Sequence, residues 1–141
     1  GYTFTSRSNG SKCTYLTDAG FVTDTIREAV AGSSALVLEA NHDVEMLKNG
    51  PYPRHLKQRI LSTLGHLSND TAGHFLTELE RLPEHIVLAH LSEHNNLPRL
   101  AQDTVQNILH DNNRLQETEL FVADQNRVVA DSPLPAVLDL K

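Results

Sequence analysis

The sequence lacks the features that are typical of secreted and membrane proteins. Cys13 is the single cysteine among 141 residues, which excludes an internal disulfide and a cysteine-based zinc cluster. No apolar run approaches the roughly 18 residues that span a bilayer, and no segment resembles a signal peptide. The composition therefore predicts a cytoplasmic protein with no membrane segment. Any metal in it would be bound by carboxylates and by some of the eight histidines.

Acidic residues are absent from one stretch of an otherwise acidic chain. The net charge of −6 argues against a protein that coats nucleic acid nonspecifically. Between residues 46 and 69, however, there is no Asp or Glu, and several cations fall within this stretch. They are Lys48, Arg54, Lys57 and Arg59, which together are called the cationic patch below. The patch is either a solvated helix face or a surface that binds phosphates.

Apolar runs that end in turn residues alternate with amphipathic stretches, and this alternation predicts an α/β fold in one domain. The predicted strands are 2–5, 14–17, 35–38, 86–89, 119–123 and 127–129. The predicted helices are 24–30, 53–64, 70–82 and 98–110. Residues 132–141 are expected to form a surface tail.

Chemically active side chains follow three of the predicted strands. Asp18, Glu39 and His90 each stand at the carboxyl end of a strand, and in α/β sheets these ends meet at one edge. The spacing therefore predicts one site, although each residue taken alone also fits a structural turn. His66 precedes a predicted helix start, where an imidazole and free backbone N–H groups suit a phosphate. Alternatively, Gly65 and His66 only link two helices.

Four short motifs contain these residues. They are Thr17-Asp18-Ala19-Gly20, Leu38-Glu39-Ala40-Asn41-His42, Gly65-His66-Leu67-Ser68 and Leu88-Ala89-His90-Leu91-Ser92. In this order they resemble the C-terminal half of metallo-β-lactamase-fold hydrolases. The segment 38–96 is similar to the YycJ/WalJ family of bacterial exonucleases almost throughout, and a more distant likeness to tRNase Z enzymes surrounds Glu39, His66 and His90.

The resemblance implies a fold as well as a role for each motif. The family fold is an αββα sandwich, so residues 1–141 would be a single partial domain with a mixed sheet covered by helices. One apolar sheet face would be left for the absent half or for a second copy of the chain. Asp18 would bridge two divalent ions, zinc or manganese, and His90 would be a ligand of the second ion. His66 would be the general acid, oriented by Glu39.

The resemblance further implies a metal-dependent phosphodiesterase that acts on nucleic acid, DNA rather than RNA, as a 5′ exonuclease. Candidate substrate-binding residues are Asn41, His42, Arg54, Lys57, Arg59, Ser92 and Asn95. For Ser92 and Asn95, positioning of His90 and a purely structural loop role are alternatives. The aromatic content of 5% predicts little stacking on bases.

The chain also departs from the family pattern. The signature His-x-His-x-Asp-His loop has no counterpart in these residues, and the sequence begins with Gly1 rather than Met. We therefore expect a fragment that holds metal weakly or not at all and is inactive alone. Two other functions stay open: hydrolysis of a small phosphodiester or ester by the same fold, and a non-catalytic interaction module.

Overall fold

A five-stranded mixed sheet organises the chain. The structure, a computed structural model, describes residues 1–124 and Asn126. The strands are β1 (Tyr2–Thr5), β2 (Lys12–Leu16), β3 (Ala35–Glu39), β4 (His85–Ala89) and β5 (Glu119–Val122). The helices are α1 (Asp24–Val30), α2 (Val44–Asn49), α3 (Arg54–Leu61), α4 (Asn69–Glu78) and α5 (Pro98–Asp111), with a 3₁₀ turn at Leu115–Glu117. The strand predicted at 127–129 and the tail predicted at 132–141 lie outside the described residues.

The strands follow one another across the sheet in chain order. β1 is antiparallel to β2, whereas β2, β3, β4 and β5 run parallel to one another. Parallel neighbours need crossover connections, which the helices supply, and these connections bring the carboxyl ends of the parallel strands to one edge. The predicted α/β class with a mixed sheet is confirmed.

One face of the sheet forms the core because alternate strand residues point toward α4 and α5. The strand residues on this face are Leu36, Leu38, Ile86 and Leu88, all with no exposed surface. They share one apolar cluster with helix residues that include Phe75, Leu76, Val105 and Leu109. None of the helices in the described part of the chain has the length and apolarity that a membrane span needs.

The opposite face of the sheet is apolar and partly exposed. Tyr15 pairs with Tyr2 across the β1–β2 ladder, and these two residues are 40% and 70% exposed. Phe4, two residues further along β1, is 52% exposed. Val37, in register with Tyr15 on β3, is partly buried. The structure therefore contains a partly uncovered apolar face of the kind that the family resemblance implies.

Three helix predictions need correction. The helix predicted at 70–82 ends at Glu78. The helix predicted at 53–64 ends at Leu61, and Leu64 lies beyond it with 84% of its surface exposed. The apolar period continues to Leu64, but no packing partner keeps the last turn helical. Helix α2 (Val44–Asn49) was not predicted, although the Asp43 carboxylate caps it by accepting the N–H of Met46 at 2.8 Å. The helix has six residues and buries only Leu47, so the sequence shows no apolar period from which it could be predicted.

Candidate metal centre

The three strand ends and the segment before α4 bring four side chains together. Asp18 lies two residues after β2, Glu39 ends β3, and His90 directly follows β4. His66 joins them from the loop between α3 and α4. One ligand atom from each of the four residues lies within 4.8 Å of the others. The convergence that the strand-end spacing predicts is confirmed.

The backbone turns sharply at two of these positions. Asp18 has a φ of 58° and His90 a φ of 57°, in the left-handed region that L-residues rarely adopt. Such conformations persist where the surrounding structure holds them, and they concentrate at functional sites. Here they turn both side chains at the ends of β2 and β4 toward the same point.

Glu39 is the centre of the cluster and has no exposed side-chain surface. Its Oε1 accepts hydrogen bonds from His66 Nδ1 at 2.8 Å and from His90 Nδ1 at 2.6 Å. Its Oε2 accepts the backbone N–H groups of Ala19 at 3.2 Å and Leu67 at 3.3 Å. Four donors thus offset the cost of removing a carboxylate from water, and they fix its orientation.

These hydrogen bonds decide which nitrogen of each ring is available to a metal ion. A carboxylate only accepts, so both Nδ1 atoms carry hydrogen and Glu39 leaves both Nε2 atoms free. A carboxylate behind an imidazole in this way is the usual support of a metal-binding histidine. Asp18 Oδ1 lies 3.8 Å from each Nδ1. Two imidazoles with one carboxylate fit a divalent transition-metal ion.

The cluster is open to solvent on the side away from Glu39. The side chains of His66, His90 and Asp18 are 31%, 41% and 69% exposed. A substrate or an ion can therefore reach these three residues without any rearrangement of the core. Glu39 accepts a hydrogen bond from the Nδ1 atom of each ring, so this contact does not distinguish His66 from His90. The division of roles, with His66 as the acid and His90 as the ligand, stays a prediction.

Backbone hydrogen bonds tie together the three loops that carry the cluster. The N–H of Asn41 donates to the Leu67 carbonyl at 2.9 Å, and the N–H of Asn69 donates to the His42 carbonyl at 2.9 Å. The N–H of Ser92 donates to the Asn41 carbonyl at 2.7 Å. The loops after β3 and β4 and the start of α4 therefore form one framework.

Buried amide side chains complete this framework. Asn69 and Asn96 exchange two hydrogen bonds of 2.9 Å, and Asn96 also donates to the Ala40 carbonyl at 2.9 Å. Asn41 Nδ2 donates to the His90 carbonyl at 2.9 Å, which supports the strained turn at His90. Sequence reasoning missed Asn69 because its partner lies 27 residues away.

Three candidate substrate-binding residues belong to the support of the site rather than to its surface. His42 and Asn95 are each 1% exposed, and Asn41 is 9% exposed. Burial lowers the pKa of His42, and nearby His66 lowers it further while Glu39 opposes both effects. Ser92 Oγ accepts the N–H of Asn95 at 3.2 Å. All three side chains are buried in this structure, and their contact with a substrate stays a prediction.

The cationic patch divides into free and engaged residues. Lys57 Nζ donates to the carbonyls of Lys48 and Gly50, both at 2.7 Å, and so closes the end of α2. Arg54 and Arg59 lie exposed on α3, and no ion pair involves either of them within residues 1–124. Lys57 therefore has a structural task, and Arg54 and Arg59 are the two arginines of α3 that are available to contact phosphates.

Replacing Gly65 by alanine is expected to destabilise the chain and to displace His66. A Cβ at Gly65 would lie 2.0 Å from the Ile60 carbonyl oxygen and 2.5 Å from that of Arg59, so the backbone must move. We expect a loss of about 1–3 kcal/mol in the free energy of unfolding, measured by urea denaturation. Thr63→Ala, at an exposed position in the same loop, is the control. Equal stability of the two variants would contradict the close packing at Gly65.

This chain is similar in sequence to curated bacterial proteins. It is 42% identical over 103 residues to "Exodeoxyribonuclease YycJ" of Bacillus anthracis, a match that covers 72% of this chain. It is 42% identical over 119 residues to "Exodeoxyribonuclease WalJ" of Streptococcus pneumoniae serotype 2, covering 84% of this chain. The chain is YycJ/WalJ-like. No protein-family model matches it.

The matches cover 39% and 42% of these relatives, so this YycJ/WalJ-like chain spans about two fifths of the length of the curated proteins it matches. The resemblance to the YycJ/WalJ family that the sequence predicts is thereby confirmed. Three residues of the cluster, Glu39, His66 and His90, belong to the segment 38–96, where the sequence predicts the strongest likeness. The strand ends predict that Glu39 and His90 lie near each other, but no sequence signal specifies the hydrogen bond between these residues, which are 51 positions apart.

Proposed function

We propose that this chain is the C-terminal half of a metallo-β-lactamase domain and forms one wall of a two-metal nuclease site. The intact protein would hydrolyse DNA as a 5′ exonuclease. The single observation that carries the proposal is the buried Glu39 carboxylate, which holds the Nδ1 atoms of His66 and His90 at 2.8 and 2.6 Å. The relatives named exodeoxyribonucleases support a nuclease that acts on DNA.

The donor atoms suggest how the wall would hold metal. Asp18 and the Nε2 atom of His90 would be ligands, and Glu39 would support His90 from behind. Divalent ions, when bound, supply Lewis-acid polarisation of the phosphodiester and a nucleophilic water. The remaining ligands would come from the part of the domain that these residues do not include.

His66 has the arrangement of a general acid. Its Nδ1–H is held by Glu39, so a proton on Nε2 faces the solvent-exposed side and can pass to the leaving oxygen of the substrate. The ring then stays neutral, with its hydrogen on Nδ1. The buried carboxylate stabilises the cationic ring before the transfer, as the carboxylate of a catalytic triad does.

Reconstitution tests the proposal. The partly exposed sheet face of Tyr2, Phe4, Tyr15 and Val37 would pack against the missing half of the domain. Mixing this chain with the N-terminal half of a relative should give a complex that takes up divalent metal and degrades DNA. The same exposed face favours the interaction module as the second candidate. A complex that binds no metal and cleaves no DNA would decide for the module.

Binding of DNA should depend steeply on salt, and Arg54 and Arg59 should contribute to the slope. Each phosphate contact that is lost reduces the slope of log K against log salt by roughly 0.7–0.9. We expect Arg54→Ala and Arg59→Ala each to lower the slope of the reconstituted protein by that amount, measured with a single-stranded oligonucleotide. Arg81→Ala, just before β4 and thus at the opposite edge of the sheet from His90, is the matched control. A flat salt response in the unmodified protein would instead favour a small phosphodiester or ester as substrate.

A further inference from the structure

An apolar cavity of about 580 Å³ lies beside the metal-binding cluster. Its walls are the start of β1, the end of β2, α1, and the loops on either side of the cluster. Asp18 is part of its lining, and so is Gly65, the residue before His66. The cavity therefore adjoins the cluster on the side of Asp18 and of the loop that carries His66.

Large apolar side chains line this cavity while staying exposed. Phe21 is 51% exposed and follows Asp18 by three residues, and Leu64 is 84% exposed and precedes His66 by two. Tyr2 and Tyr15 also line the far wall, and they belong to the sheet face that the missing half of the domain would cover. A contiguous exposed group of this kind next to polar catalytic residues is typical of a ligand-binding surface.

The charge of the lining indicates which part of a nucleic acid fits. Asp18 is the one charged side chain among the described residues that line the cavity, and neither lysine nor arginine contributes to it. Hydroxyl groups come instead from threonines that include Thr17, Thr23, Thr25 and Thr63. Phosphates would find no lysine or arginine here, and the one cation is the amino terminus of Gly1 at the start of β1. A neutral, flat group with polar edges would find apolar contacts and hydrogen-bonding hydroxyls.

We propose that this cavity receives the nucleobase next to the scissile phosphodiester, with Phe21 and Leu64 as its main apolar contacts. The inference rests on the proposed nuclease function, because a phosphate held at the cluster places the attached nucleoside within reach of the cavity. Every base has an apolar face, so contact with Phe21 and Leu64 discriminates little between sequences. Phe21 would thus provide the stacking that the low aromatic content argued against.

The test uses neutral nucleosides and NMR spectroscopy of this chain. Adenosine and thymidine at millimolar concentration should shift the Phe21 ring and Leu64 methyl resonances, whereas ribose 5-phosphate, which lacks a base, should not. Phe21→Ala should weaken nucleoside binding at least fivefold, as expected for loss of a stacked base. Leu97→Ala is the matched control, since Leu97 is 56% exposed and does not line the cavity.

Three results would overturn the nucleobase site. These are no response of Phe21 and Leu64 to nucleosides, an equal response to ribose 5-phosphate, or shifts that depend on protein concentration alone, which would identify the cavity as a contact between protein segments. A zinc titration of the His90 ring in the same samples separates this proposal from the proposed function. A zinc response without a nucleoside response overturns the base site alone, and the reverse supports the base site while contradicting the metal site.

Discussion

Replacing Glu39 by glutamine is expected to lower the divalent-metal affinity of the reconstituted protein by about 10- to 100-fold, with a loss of turnover at least as large. Glutamine has the same shape, but each oxygen of Glu39 accepts from two donors. Whichever way the amide is turned, its NH₂ group therefore faces two N–H donors. The change removes acceptors that no rotation can restore.

The direction of the amide decides how the Glu39→Gln site fails. An NH₂ group facing the rings favours the tautomer with hydrogen on Nε2 in both His66 and His90, which occupies the lone pairs that a metal needs. An NH₂ group facing Ala19 and Leu67 leaves buried N–H groups without acceptors, at a cost of about 1–3 kcal/mol each. Both alternatives impair the metal site.

Metal titration of folded samples measures the effect of Glu39→Gln, with Glu45→Gln as the control. Glu45 lies on α2 with 74% of its side chain exposed and pairs only with Lys48 among the described residues. We expect the control to retain its metal affinity and its turnover. An unchanged affinity in Glu39→Gln would show that the carboxylate does not set the orientation of the two rings.

Substitution of the two cluster histidines should give opposite patterns of metal content and turnover in the reconstituted protein. His66→Ala should slow turnover by about 10²- to 10⁴-fold, the usual contribution of a general acid, while metal content stays largely unchanged. His90→Ala should remove metal and activity together, because it deletes a ligand. Asp18→Ala should behave like His90→Ala.

Metal analysis by atomic emission and single-turnover kinetics distinguish these patterns. His74→Ala is the control, since His74 is an exposed residue on α4 outside the cluster. If His66→Ala empties the site, His66 is a ligand, and the division of roles taken from the family resemblance is wrong. If His90→Ala keeps its metal, the ligand set proposed for this wall is wrong.

Local sequence signals predicted most of the fold because they depend on neighbouring residues. Helix α1 (Asp24–Val30) begins and ends where the pattern predicts, with Thr23 as its cap. Strands β3 and β4 differ from prediction by one residue each. The end of α3 was misplaced because periodicity cannot report whether Leu64 finds a packing partner.

The sequence predicted where the site lies, but it did not predict the hydrogen bonds that connect the residues of the site. Strand ends placed Asp18, Glu39 and His90 at one edge, which is a property of any parallel sheet. The bridging position of Glu39 depends on hydrogen bonds to His66 and His90, which are 27 and 51 positions away in the chain. Burial separated His42 from the surface, and no sequence pattern distinguishes a buried histidine from an exposed one at that position.

Long-range ¹H–¹⁵N NMR spectroscopy of the histidine rings in this chain tests the central claim most directly, namely that Glu39 turns a metal-binding nitrogen of His90 outward. The account predicts hydrogen on Nδ1 of His66 and His90 at alkaline pH. Millimolar zinc should move the Nε2 resonance of His90 much further than that of the exposed His110. Hydrogen on Nε2 of His90, or a zinc response no larger than that of His110, would contradict it.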